Sequence, residues 1–311
     1  MTAPQAILIA GPTASGKSAL AVALAERVGG AVVNADSMQV YAELSILTAR
    51  PGDADLARAP HALYGHVPAT EPYSVGRWLE DAGREIVAAQ SAERVPIVVG
   101  GTGLYFEALL NGLSPVPPIP PAIRARWRAQ AQRLGPERLH AELAGSDPAM
   151  AARLRPSDPQ RLTRALEVLE ATGRSLAVWQ AEVGAPVVAR DQALCLVLAP
   201  ERATLYARCE ARFDDMLAAG ALAEAEALMA QKLPPSLPAM RATGLRELMA
   251  HLRGELTLAQ ATEAAKAETR RYAKRQETWI KSRMAGWTRV AAGDGERAAR
   301  EAVAALAPWS G

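Results

Sequence analysis

AILIAGPTASGKSALAVALAERV, residues 6–28, decides the reading of the fold. Ala6–Ala10 is a short apolar run of strand type, and Ser18–Val28 repeats its apolar residues at helical spacing. Between them stand Gly11, Pro12, Thr13, Ala14, Ser15, Gly16, Lys17 and Ser18. Glycines at 11 and 16 let the chain turn with its backbone N–H groups inward, Lys17 adds a cation, and Ser18 offers a hydroxyl to a magnesium ion. A strand, such a loop and a helix in this order grip two linked phosphates.

Outward from that unit, strand-like runs at Ala31–Ala35, Ile97–Val99 and Ala193–Ala199 alternate with helical patterns, among them Ser74–Ala92, where Ser74 can cap the first turn. The alternation predicts an α/β fold, a P-loop parallel sheet covered by helices. The pattern breaks at SPVPPIPP, residues 114–121, where prolines forbid helix and central strand. From Ala122 to about Gly184 the chain is arginine-rich and helical in period, with turn signals at Gly135-Pro136, Asp147-Pro148 and Asp158-Pro159. We read a helical insertion domain over 115–190, between a first part of the core at 1–114 and its completion at 191–311. That last part holds a long helix from Leu258 to about Met284 and a short strand near Thr288–Ala291.

In 311 residues the 35 basic and 33 acidic side chains nearly cancel, so whole-chain charge indicates no partner. Cys195 and Cys209 lie in apolar or helical surroundings and read as reduced and structural. The apolar start lacks a basic leader and no apolar run reaches membrane-spanning length, so the expectation is a cytoplasmic protein without a membrane anchor.

The chemistry turns on which acids accompany the loop. VPIVVGGTGLY ends its strand in Gly100, Gly101 and Thr102, with no carboxylate where ATP chemistry places a second magnesium acid. AVVNADSMQVY delivers Asp36 at the sheet edge where ligand crevices form. Asp36 there suits a general base, and equally suits capping its own turn. Lys266, Arg270, Arg271, Lys274, Arg275, Lys281, Arg283 and Arg289 make a basic helix, and Arg124, Arg126, Arg128, Arg153, Arg155, Arg161 and Arg164 charge the insertion. Either set serves a polyanionic partner or merely solubilises a helix. Tyr41, Tyr105 and Trp279 could stack on bases, but a packing role is favoured for each.

Taken together, GPTASGKS, NADSMQVY, VGGTGLYFEALLNGL, DPQRLTRALEVLEATGR, RFDDML and RRYAKRQETW resemble the tRNA dimethylallyltransferases over most of the chain. The resemblance implies transfer of a dimethylallyl group from dimethylallyl diphosphate to the N6 amine of the adenosine 3′ of the anticodon. The loop Gly11–Ser18 would hold the diphosphate, with magnesium at Ser18. It implies Asp36 as base, Thr102 positioning the amine, and Lys17 and Arg212 meeting the charge of the departing diphosphate. It places tRNA contacts at Asp36, Ser37, Met38 and Gln39, at Thr102, and at Gln160, Arg161, Leu162, Thr163 and Arg164. Further contacts fall at Arg241, Ala242, Thr243, Gly244, Leu245 and Arg246, with Arg124 a further addition. Leu245 stands where a tyrosine is usual, and Arg50 where a lysine is. The expected state is a monomer. The alternatives are a P-loop small-molecule kinase, which needs a second magnesium acid and an arginine lid, and a nucleotide-gated RNA binder, which needs no carboxylate at the loop.

Overall fold

The computed structural model describes residues 4–182, 184–292 and 295–307. Six strands form one parallel sheet: β1 (Ala6–Ala10), β2 (Gly30–Asn34), β3 (His61–Ala62), β4 (Val95–Gly100), β5 (Ala193–Leu198) and β6 (Thr288–Val290), in the order β3-β2-β4-β1-β5-β6. The two-residue β3 escaped the sequence reading because it is too short to show a period. The order makes β1 central, with Ile7 opposite Ile97 on β4 and Leu194 on β5. A strand buried on both faces must be apolar throughout, and all five residues of β1 are buried.

Alternation along the strands sorts their side chains between two cores. Ala6, Leu8, Val33, Val98 and Val197 join Trp78, Phe106, Leu109 and Phe213 from helices Val75–Ser91, Gly103–Asn111 and Arg202–Ala218. Ile7, Ile9, Val32, Ile97 and Leu196 face the other way, against Leu20, Ala21 and Leu24 of helix Lys17–Val28 and Ala298, Ala299 and Ala302 of helix Gly295–Ala304. Tyr41 and Tyr105 are core residues, and Tyr105 stacks on Trp78 with centroids 4.2 Å apart. Ser74 caps its helix, its hydroxyl accepting from the Arg77 N–H.

The chain divides into two compact units, residues 1–110 with 187–311, and residues 111–186. In the first, the Val187 and Val188 N–H groups both donate to the Leu109 carbonyl, at 3.0 and 3.2 Å. The second is all helical, packed around Leu139, Leu143, Met150, Leu162, Ala165, Leu166 and Val168. Gly135-Pro136, Asp147-Pro148 and Asp158-Pro159 are helix starts there. Proline fills the first helical position, where its missing N–H costs nothing, and Asp147 and Asp158 accept from the N–H groups of Met150 and Arg161.

Candidate active site

Three segments leave the sheet at the carboxyl ends of β1, β2 and β4: the loop Gly11–Ser18, the turn Asp36–Gln39 and the stretch Gly101–Thr102. Parallel sheets place their ligand crevice at this edge, where the connections reverse direction. In the loop, Gly16 has φ +92°, which favours glycine, and the Ser15 N–H closes back on the Pro12 carbonyl at 3.2 Å. Lys17 donates to the same carbonyl at 3.3 Å. Although Lys17 as a residue is part-buried, its ammonium is enclosed: burial pulls it down to about 8, Asp36 opposes the fall and Arg212 adds to it.

Asp36 is held from both sides. The fully buried Asn34 accepts from the Asp36 N–H at 2.8 Å and returns its amide to the Asp36 carbonyl at 3.0 Å. Asp36 Oδ1 accepts from the Met38 N–H at 2.9 Å. Asp36 therefore does form the turn that its residue type predicts, and the same side chain also lines a cavity of about 410 Å3. Thr102 reaches the turn through its hydroxyl, which accepts from the Ser37 N–H at 3.0 Å.

That cavity brings together Thr13, Asp36, Ser37, Met38, Arg212, Arg241, Ala242, Thr243, Gly244 and Arg246. Arg212 donates to the Thr13 hydroxyl, and burial lowers its pKa while Cys209 and Asp36 raise it. Other expected residues point elsewhere. Gln39 spends its amide on the Thr48 and Ala49 carbonyls. Leu245 is fully buried in the core, and Arg50 donates to the carbonyls of Tyr41 and Ala42, so both departures from the usual pattern fall on packing and bracing. In the helical unit, Leu162 and Thr163 are buried, whereas Gln160 and Arg161 are exposed and Arg164 is half-buried, with Arg124 near enough to oppose its charge.

The structure adds to two expectations. Cys209 is free, as read, but it also lines the cavity, 3.9 Å from the Thr13 carbonyl. The basic helix, Leu258–Arg283, carries less open charge than its composition suggests: Lys266 pairs with Asp214, Arg270 with Glu210, and Arg271 and Arg275 with Glu268. Spacing carried a signal for the missed cavity residues. Cys209, Phe213 and Met216 share one face of helix Arg202–Ala218 with the expected Arg212, and Glu268, Thr269, Tyr272 and Arg275 fall on one face of the long helix.

A family model described as IPP transferase matches residues 39–283, and one described as isopentenyl transferase matches residues 4–62. The chain belongs to the IPP transferase family. A relative from Chelativorans sp. (strain BNC1), named tRNA dimethylallyltransferase, is 55% identical over 280 residues, covering 90% of this chain and 96% of its own. Among solved structures, the full-length tRNA isopentenylpyrophosphate transferase of Bacillus halodurans is 30% identical with a TM-score of 0.69, over 98% of this chain and 97% of its own. A eukaryotic dimethylallyltransferase captured acting on tRNA is 29% identical with a TM-score of 0.82, over 96% of this chain and 77% of its own. This IPP transferase is thus an enzyme of tRNA prenylation, and the kinase alternative falls away. Among the described residues no helix is long and apolar enough to cross a membrane.

One expected result follows from the depressed Lys17 ammonium. Diphosphate held at the loop would restore that proton, so pyrophosphate binding at pH 8 is expected to take up a fraction of a proton through Lys17 and that contribution to weaken as pH rises through about 8. Calorimetric titrations in buffers of different ionisation enthalpy measure the uptake, and the share carried by Lys17 disappears in Lys17→Ala. With the site empty the sign reverses for stability: the cost of the buried ammonium is full below about pH 8 and is relieved as pH rises from there toward 10.5.

Proposed function

We propose that the enzyme breaks the carbon–oxygen bond of dimethylallyl diphosphate and joins the dimethylallyl carbon to the N6 amine of the adenosine 3′ of the anticodon, releasing diphosphate. The observation that supports this most is the Asp36 carboxylate, fixed in its turn at the end of β2 and sharing a cavity with Arg212 beside a loop suited to two phosphates. As the amine attacks, its proton passes to Asp36 Oδ2, the oxygen not engaged by the Met38 N–H. The oxygen that keeps the bonding pair gains charge, met by the loop N–H groups, Lys17 and Arg212. Thr102 holds the turn at Ser37, so that the amine meets a fixed carboxylate.

Magnesium fits the donors present. Among the described residues no three His, Cys, Asp or Glu side chains converge, but an ion that keeps its waters and takes diphosphate oxygens needs only one or two protein ligands. Ser18, half-buried in the first turn of its helix, would supply one hydroxyl. When bound, the ion neutralises charge on the leaving diphosphate. The enzyme works as a monomer in the cytoplasm on this reading, and light scattering of the purified chain checks the monomer.

Labelled dimethylallyl diphosphate and tRNA should give prenylated adenosine, while labelled ATP under the same magnesium should not turn over. ATP hydrolysis stimulated by tRNA, with no prenylated adenosine, overturns the reading. For tRNA, the exposed Arg161 and half-buried Arg164 are expected to touch phosphate. Each lies near an acid, Asp158 at 3.4 Å and Glu167 at 3.7 Å, that a phosphate would replace. Changing both to Gln should reduce the slope of log affinity against log salt by up to about 2, since each phosphate contact releases roughly one counterion. Filter binding over a salt series reads the slope, and an unchanged slope removes both from the contact surface.

A further inference from the structure

The side chain of Gln276 joins two backbone segments that the reaction must hold in register. It lies on the long helix Leu258–Arg283 and is buried. Its Oε1 accepts from the Thr13 N–H at 2.8 Å, inside the phosphate loop. Its Nε2 donates to the Gly101 carbonyl at 3.0 Å, at the end of β4. The fit is close: a Cβ on Gly101 would stand 2.1 Å from that amide nitrogen. From Gly101 the chain passes to Thr102, whose N–H donates to the Ala35 carbonyl at 3.2 Å and whose hydroxyl receives the Ser37 N–H. From Thr13 the hydroxyl accepts from Arg212.

We infer that Gln276 is a positioning residue for prenyl transfer, its amide setting the distance between the diphosphate loop and the Asp36–Thr102 turn. The inference rests on the proposed roles of those two segments. Gln276 does not line the cavity that holds Asp36 and Arg212. It acts through Thr13 on the donor side and through Gly101 and Thr102 on the acceptor side. A displacement of about 1 Å between reacting groups can cost on the order of 100-fold in rate, and one amide holds both segments. The helix that carries it also lines the cavity with Tyr272 and Arg275, so a substrate pressing on that face bears on the same clamp.

Two variants test it. Gln276→Met keeps the length and removes both hydrogen bonds. Its single-turnover rate, with both substrates saturating, should fall at least tenfold while tRNA affinity stays within about threefold of wild type. Gln276→Glu supplies a pH signature. Protonated, the introduced carboxyl accepts from the Thr13 N–H and donates to the Gly101 carbonyl as the amide does. Ionised, it sets a lone pair against that carbonyl. Its rate relative to wild type at the same pH should therefore rise as pH falls, a change that loss of packing alone would not produce. A smaller loss in Gln276→Met, a loss of tRNA affinity matching the loss of rate, or a pH-independent ratio for Gln276→Glu overturns the assignment. An active Asp36→Asn variant would instead count against the role of the acceptor turn, and is read separately.

Discussion

Asp36→Asn is expected to lower the single-turnover rate of prenyl transfer by about 100-fold or more at saturating tRNA, the usual worth of a positioned base. The substitution is selective because of how Asp36 is held. An asparagine can keep its Oδ1 on the Met38 N–H and its backbone N–H on Asn34, so the turn survives. What it loses is the second oxygen, the one free to take the proton. Asp36 also raises the pKa values of Lys17 and Arg212, so diphosphate affinity should shift modestly in the same variant. Rapid-quench measurement of prenylated tRNA decides the matter. A rate within about threefold of wild type would leave Asp36 as a turn former alone.

Lys17→Ala should depress transfer by about 3 kcal/mol, on the order of 100-fold, because it withdraws a cation from a leaving group that gains charge as the bond breaks. The empty protein should respond in the opposite sense. Its Lys17 ammonium is desolvated with Arg212 among its neighbours, so at neutral pH removing it relieves a cost. The expected pair of results is a large fall in kcat with a melting temperature that stays level or rises. A fall in both would make Lys17 a structural residue, its bond to the Pro12 carbonyl holding the loop closed.

What the sequence disclosed, and what it hid, divides by the range of the interactions. The loop Gly11–Ser18 was legible between its strand and helix because its conformation is written in consecutive residues, and Ser74 because a cap needs only the three residues after it. β1, β4 and β5 showed as apolar runs because both their faces are buried. Gln276 did not show: its partners Thr13 and Gly101 lie 263 and 175 positions away, and an amide amid basic helix residues gives no sign that it is buried. The ion pairs of the long helix were hidden for the same reason. Asp214 and Glu210, which neutralise Lys266 and Arg270, come from another helix, and composition counted along one helix misses them. In QRLTR, exposure differs residue by residue, so a contiguous motif overstates the contact. Leu162 packs in the helical core, Thr163 is buried with its hydroxyl donating to the Pro159 carbonyl, and Gln160 and Arg161 are left to face solvent.

The two hydrogen bonds from Val187 and Val188 to the Leu109 carbonyl have a thermodynamic consequence for everything between them. They bring the ends of residues 111–186 together, so the sheet meets that segment as a loop already closed. The entropy of closing a flexible loop grows only with the logarithm of its length, about 0.6 kcal/mol per doubling. Lengthening or shortening the helical unit therefore changes the stability of the six-stranded sheet very little, and selection can remodel one without paying in the other. The helical unit has its own apolar core and its own capped helices, so its fold is held by contacts within itself and does not draw on the core of the sheet.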